Sequence, residues 1–408
     1  MGLIYVTDWS ITGSGYFSIG ASLVPALTEG REEDIIVLGI NYFGQEYSQT
    51  AYTVVPTQFE HIPARIKHIL KDESLDFDKV VVALDIPMHE RLLAQFPRKD
   101  RPFRYTGIFP LDGGPLVREW AMIAGEMNEA FVLSKFAQKC CRDAGLDVHY
   151  LPVGVSAWFP HAEEGFRKEC RETHGVDGKF LILNIGDNHE RKNHAGAMQM
   201  VAEFYKRHPN TEYWVVTRMD GRFGWQMESL ASDLGIRKIT HFFDRTLKPN
   251  VLFLFQCCAD VLLHTSKAEG LGLPVLEAQM VGSAIPIVTR TPSLIELIEE
   301  GGGLFIEPEF GFIDPFGNTK RVFPSIIDGV KKLEMIYNAP ESSLEWMRHF
   351  GRIAIGNRTW DKAARVFWDA LDRERLGTVG ARSHAPWYSA GYKLEVPEYK
   401  YDLEHIGR

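Results

Sequence analysis

Two successive sets of strands alternating with helices predict an α/β protein built from two doubly wound, parallel-sheet domains. Three observations carry that prediction. Short apolar runs such as Leu3-Ile-Tyr-Val-Thr, Val80-Val-Val-Ala-Leu and Phe180-Leu-Ile-Leu-Asn-Ile have the length and content of buried parallel strands. Helical stretches separate them, which is the pattern of β-α units in a parallel sheet. The alternation pauses over a charged helix and restarts at Lys179, so a domain boundary falls between 152 and 178 in a chain of 408 residues, long enough for two sizeable cores.

In the first half, Leu3 to Thr7 reads as a strand, and Thr12-Gly-Ser-Gly-Tyr-Phe-Ser-Ile-Gly opens a helix running to Leu27. Gly13 and Gly15 occupy the first two positions of a dinucleotide fingerprint, but Ser18 stands at the third. The next strand, Asp34 to Asn41, ends without the acidic residue that holds an NAD ribose, so NAD binding is not expected. The two glycines either form a tight turn or let a ligand approach the backbone. Asp76-Phe-Asp78, ahead of the strand Val80 to Leu84, has the look of a divalent-metal motif. Ligands of α/β sheets sit beyond the carboxyl ends of strands, so the motif reads as a solvated loop with no metal. Arg98-Lys-Asp-Arg-Pro-Phe-Arg104 is a basic loop before the strand Arg104 to Phe109, and Pro110-Leu-Asp-Gly-Gly-Pro follows that strand. Glu119 to Asn128, Ala130 to Ser134 and Lys135 to Ala144 then read as helix, strand and helix.

The second half opens with the strand Lys179 to Gly186 and the loop Gly186-Asp-Asn-His-Glu-Arg-Lys-Asn193. Its adjacent charges, Arg191 and Lys192, are either a solvated pair or an anion clamp. Strands at Glu212 to Thr217, Lys238 to Phe243 and Ala259 to Leu263 lead to His264-Thr-Ser-Lys-Ala-Glu-Gly-Leu-Gly-Leu-Pro-Val-Leu-Glu277. There a carboxylate stands at each end of a glycine loop, Glu269 before it and Glu277 one turn into a helix whose first turn holds Pro274. Carboxylates accept hydroxyl hydrogens from vicinal diols, and the amides of Gly270, Leu271, Gly272 and Leu273 lie where a helix N-terminus meets an anion. The residues alone leave two readings open: a polyhydroxyl ligand bearing a phosphate, or a surface turn with one capping glutamate.

The letters S-x-x-E-G-L-G-L-P-V-L-E-A resemble the E-x7-E signature of retaining, GT-B type glycosyltransferases, in particular glycosyltransferase family 4. The resemblance runs in order over 181–367, is consistent over 3–160 and is absent from the tail. It implies a GT-B fold, two Rossmann-like domains facing a cleft: 1–160 on the acceptor side, 161–358 for the nucleotide sugar, and 359–408 as a helix crossing back plus a tail. It places the donor sugar at Glu269, the ribose at Glu277, the diphosphate at Arg191, Lys192 and the loop amides, the base near Phe243, and Gly13 and Gly15 on the cleft. No side-chain nucleophile and no metal or other cofactor is implied, since the leaving diphosphate helps to deprotonate the acceptor. The chain departs from the family pattern in three places. Asp187 stands where arginine commonly follows the glycine, Ser156 where aspartate is usual at the domain crossing, and no histidine lies near Pro110, which leaves Asp112 as the acceptor-side candidate.

A net charge of −9 and a pI near 5.9 argue against bulk affinity for nucleic acid or anionic membrane. Five cysteines give no even disulfide framework and no C-x-x-C knuckle, which fits a reducing cytoplasm. No leader is expected, because Leu3 to Val6 is too short an apolar run, and Val6 breaks a myristoylation motif. The expected activity is hexosyl transfer from a UDP- or GDP-sugar. The acceptor stays open between a glycan, a lipid-linked sugar, a small molecule and a modified nucleic-acid base. The basic loop Arg98 to Arg104 is either the place where an anionic acceptor would dock or a solvated loop. A non-catalytic nucleotide-sugar binding module and a nucleotide-sugar 2-epimerase are the alternatives.

Overall fold

The computed structural model describes residues 2–10, 14–31, 33–44, 52–72, 75–163, 165–219 and 224–372. The first half runs β1 (Gly2–Asp8), α1 (Gly15–Thr28), β2 (Ile35–Ile40), β3 (Thr53–Thr57), α2 (Ile62–Ile69), β4 (Phe77–Ala83), α3 (Ile86–Leu93), β5 (Arg104–Phe109), α4 (Arg118–Gly125), β6 (Glu129–Val132), α5 (Lys135–Asp143) and β7 (His149–Tyr150). Among the described residues its strands form one parallel sheet in the order β3-β2-β1-β4-β5-β6-β7. The order reverses between β1 and β4, and crevices at such a switch receive ligands. Register sets Thr7 beside Ala83 and Ala83 beside Ile108, so the loops after β1, β4 and β5 emerge side by side.

The second half begins with α6 (Phe166–Thr173), β8 (Phe180–Ile185), α7 (His194–Tyr205), β9 (Thr211–Thr217), α8 (Met227–Asp233), β10 (Thr240–Asp244), α9 (Pro249–Cys258), β11 (Val261–His264), α10 (Leu273–Val281), β12 (Ile285–Thr289), α11 (Pro292–Gly301) and β13 (Leu304–Ile306). It continues through β14 (Pro308–Asp314), β15 (Thr319–Pro324), α12 (Ile326–Tyr337), α13 (Glu341–Gly356) and α14 (Trp360–Asp372). A second parallel sheet takes the order β10-β9-β8-β11-β12-β13, with its own switch between β8 and β11. The apolar run before His264 is wholly buried at Val261, Leu262 and Leu263. Each such side chain contributes about 1.5–3 kcal/mol, which anchors the loop that follows. This is the doubly wound, two-domain α/β architecture expected from the alternation.

Helix α14 returns to the first sheet. Phe367 stacks on Phe131 with ring centroids 5.2 Å apart, Trp368 Nε1 donates to the Leu27 carbonyl at 3.1 Å, and Arg31 pairs with Asp372 at 2.6 Å. The tail beyond Asp372 lies outside the described residues.

Three features differ from the sequence reading. β3, with Pro56 within five residues, is an edge strand, where proline costs no central ladder bond. Asp78 lies inside β4 and pairs with buried Lys79 at 2.6 Å, rather than in a solvated loop. Between β13 and α12 stands an antiparallel hairpin, β14–β15, that the alternation did not announce. Val322 N in it donates to the Lys267 carbonyl at 3.1 Å and Lys320 N to the Gly114 carbonyl at 2.9 Å, so it bridges the two halves.

Candidate active site

The loop from β11 to α10 is buried from Thr265 through Gly272, which removes the reading of a surface turn. Gly272 holds φ of 97° at the N-cap of α10, a left-handed conformation that favours glycine. A side chain there would also strike Leu294. One backbone and one side-chain bond staple the loop to the single turn Glu190–Lys192: Lys267 N donates to the Arg191 carbonyl at 2.8 Å and Arg191 Nη1 to the Ala268 carbonyl at 2.6 Å. Two stretches 77 residues apart are thereby made into one surface.

Glu269 is the centre of that surface. It is 5% exposed, pairs with Lys192 Nζ, lies 3.2 Å from Arg191 Nη1, and accepts from His264 Nε2 at 3.0 Å with the imidazole proton on that nitrogen. Burial alone would raise its carboxyl, but the Lys192 and Arg191 charges with the His264 bond outweigh it and hold Glu269 well below the usual range. Burial pushes Lys192 down against the pull of Glu269, whereas Glu269 and Asp112 overcome burial at Arg191 and raise it.

Glu277 sits in the opposite environment. One turn into α10 and half-buried, it accepts from the neutral Gln256 Nε2 at 3.4 Å, and among the described residues no cation pairs with it. Burial pushes its carboxyl up to about 8. A carboxylate in that setting lacks donors, and the vicinal hydroxyls of a ribose are such donors.

Asp187, where arginine was expected, is not a void in the clamp. Its carboxylate gathers His189 Nε2 at 2.9 Å, Arg218 Nη2 at 3.2 Å and Arg245. Arg218 and Arg245, both missed in the sequence, follow the carboxyl ends of β9 and β10, and that position after a strand is the signal that could have found them. Phe243 is used differently from a ligand contact through its ring, which packs on Trp214 and Phe255 at 5.6 and 4.5 Å. Phe243 lies at the end of β10 and is partly exposed.

The first domain closes over this wall. A Cβ on Gly15 would stand 3.7 Å from Leu273 Cδ1, and one on Gly270 would strike Pro110, so α1 and the loop after β5 meet the glycine loop directly. Gly13 lies outside the described residues. Asp112 is committed to two arginines, Arg191 at 3.5 Å and Arg321 of the hairpin at 3.0 Å, and Arg321 pairs with Asp314 at 3.0 Å. Burial pushes Asp112 up, offset in part by those arginines. The basic loop is not at the cleft at all. It precedes β5, at the amino ends of the strands, where Arg98 and Arg101 donate to the Gly125 and Glu126 carbonyls at 3.0 Å each.

Residues 166–310 match the family model of glycosyl transferases group 1. That match covers about a third of the chain and lies within its second half. The lipopolysaccharide glucosyltransferase WaaG of Escherichia coli (strain K12) is 30% identical over 144 residues, which span 34% of this chain and 36% of that protein. In fold, the chain is similar to the sucrose-phosphate synthase of Thermosynechococcus elongatus, with a TM-score of 0.71 at 13% identity, over 92% of this chain and 99% of that one. It is likewise similar to HepE of Anabaena, solved in complex with UDP and glucose, with a TM-score of 0.69 at 12% identity over 91% and 100% of the two chains. The two parallel-sheet halves are therefore a GT-B fold. The segment matched by the family model contains Arg191, Lys192, Glu269 and Glu277 together. Three cleft residues went unrecognised in the sequence: Asp8 at the end of β1, Tyr16 in the first turn of α1 and Asp85 after β4.

Proposed function

We propose that this chain transfers a sugar from a nucleoside-diphosphate donor to an acceptor hydroxyl, with retention of anomeric configuration. The observation that carries the reading is Glu269 held between Lys192 and Arg191 beside the amino end of α10, with Glu277 uncompensated one turn on. A diphosphate is the ligand that such a cationic pair and free amides receive, and stabilising its departure is the electrostatic part of catalysis. Glu269 then meets the sugar hydroxyls and Glu277 the ribose, with the base against backbone at Phe243. Retention rests on the resemblance of the E-x7-E stretch. The leaving diphosphate takes the acceptor proton, and the arginine–lysine clamp does the charge neutralisation that a divalent ion does elsewhere. Among the described residues no helix is long and apolar enough to cross a membrane, and five buried free cysteines support a cytoplasmic setting.

The test is direct. UDP and GDP are titrated calorimetrically, and slow hydrolysis of UDP- and GDP-sugars is followed with and without EDTA, reading the released anomer by NMR. Binding of one nucleotide, chelator-resistant hydrolysis and a retained anomer are expected. Loss of activity in EDTA would remove the metal-free clamp, and a sugar epimerised at C2 would make the chain a 2-epimerase.

A further inference from the structure

The acceptor side of the cleft carries a carboxylate whose placement its own helix does not explain. Asp85 is the N-cap residue of α3, a position where aspartate ordinarily accepts from the first-turn amides. Here it caps nothing. Pro87 removes one of those amides, and Asp85 Oδ1 instead accepts from the Tyr16 hydroxyl of α1 at 2.6 Å. Burial together with the Asp85 charge raises the Tyr16 phenol well above its ordinary value, so it stays a donor throughout the working range.

The location is specific. Tyr16 follows Gly15, the residue that meets Leu273 at the start of α10, so the pair stands at the seam between acceptor domain and donor loop. The Asp85 charge is felt at both Arg191 and Asp112, and that of Arg191 at Tyr16. Asp85 is exposed, and among the described residues its Oδ2 has no hydrogen-bond partner. Beside it, Asp8 accepts from Asn41 Nδ2 at 3.2 Å and from Ser10 N at 3.1 Å, both neutral donors. Asp112 differs, being neutralised by Arg191 and Arg321.

We propose that Asp85, held by Tyr16, binds the acceptor hydroxyl through Oδ2, and that the acceptor is an uncharged polyhydroxyl compound such as a neutral sugar. This rests on the glycosyltransferase reading above. Sugar hydroxyls are donors that an open carboxylate oxygen accepts, while a phosphate or carboxylate on the acceptor would face the charges of Asp85 and Asp8, and Arg191, the cation that reaches them, is already paired with Glu269 and Asp112. The pair is a binding device: the hydroxyl proton is not taken by Asp85 but passes to the departing diphosphate.

The test uses the full chain with saturating UDP or GDP, whichever binds. Saturation-transfer NMR is run with a panel of methyl hexosides and the matching hexose 6-phosphates. The wild type should bind a neutral hexoside and none of the phosphates. Asp85→Asn should weaken that binding about tenfold or more and Tyr16→Phe about threefold, with nucleotide affinity and unfolding midpoint unchanged. Asp85→Glu should recover part of the loss. Equal hexoside binding by wild type and Asp85→Asn, no hexoside binding, or a preference for the phosphates would each overturn the proposal. Failure of the wild type to bind either nucleotide would instead strike the underlying reading.

Discussion

The two walls of the cleft are made alike and charged differently. Both are loops at the carboxyl ends of parallel strands, next to a switch in strand order. On the donor wall, carboxylates are met by cations: Glu269 by Arg191 and Lys192, Asp187 by Arg218 and Arg245. On the acceptor wall, Asp85 and Asp8 are met by a phenol and an amide, which satisfy lone pairs without cancelling charge. The donor wall is thus built as a charge lattice into which an anion can enter by displacing a carboxylate. The acceptor wall stays anionic and suits neutral hydroxyl donors.

The comparison breaks most visibly at Glu269. Replacing it by glutamine leaves the partly buried Lys192 without its carboxylate and Arg191 with Asp112 alone, and losing one partner of a buried pair costs up to about 3–5 kcal/mol. Glu269→Gln should therefore unfold at much lower denaturant and lose most turnover. UDP or GDP should restore more stability to the variant than it adds to the wild type, because the diphosphate supplies the missing charge. A variant as stable as the wild type would show that the lattice contributes nothing to folding.

Lys192→Ala tests the same wall from the ligand's side. A charge-assisted contact is worth about 1.5–3 kcal/mol, so nucleoside diphosphate affinity should fall about 10- to 150-fold by calorimetry. Stability should change less than with Glu269→Gln, since Arg191 and His264 still hold the carboxylate. Unaltered affinity would take Lys192 out of the site.

The walls also differ in how much of each could be read from the chain. The donor wall was legible because one strand, one glycine loop and one helix start carry Glu269 and Glu277 in a single stretch, with the clamp in one other loop. The acceptor wall is assembled from single residues after different strands, Asp8, Tyr16 and Asp85, and nothing in their local sequence marks them as neighbours. The basic loop misled for a related reason. Charge density is visible in sequence, but which end of the sheet a loop occupies is fixed by topology, and Arg98 to Arg104 fall at the amino ends. The hairpin β14–β15 escaped because Gly311 interrupts the alternation of its first strand, and what it contributes is long-range: it carries Arg321 to Asp112.

Glu277 offers a smaller effect with a distinctive pH signature. Its carboxyl is raised from 4.5 to about 8 by burial, so between those values the folded chain holds a proton that the unfolded chain has lost. Its contribution to stability is full below pH 4.5 and declines as pH rises towards 8, on the order of 1–2 kcal/mol for a half-buried group. Glu277→Gln should remove that slope from a series of unfolding curves between pH 5 and about 8. In the wild type, nucleotide affinity should rise through pH 8 as the carboxylate forms to accept ribose hydroxyls, and the glutamine variant should show a flat profile. A wild-type affinity that fell with pH would mean that the protonated acid is the ribose partner.

The smallest expected effect on function belongs to the basic loop, and its smallness sharpens the contrast between the walls. Arg98 and Arg101 already donate to carbonyls at the end of α4, and Arg101 Nη2 also reaches Asn128 Oδ1 at 2.8 Å, while Lys99 is exposed beside Asp100. Changing Arg98, Lys99 and Arg101 together to serine removes those bonds at a cost of about 1–2 kcal/mol of stability. Sugar transfer and its dependence on salt should not move, because the loop lies at the opposite end of the sheet from the cleft. A triple variant whose acceptor use lost its salt dependence would place an anionic acceptor on that face, and the neutral acceptor proposed for Asp85 would have to be abandoned.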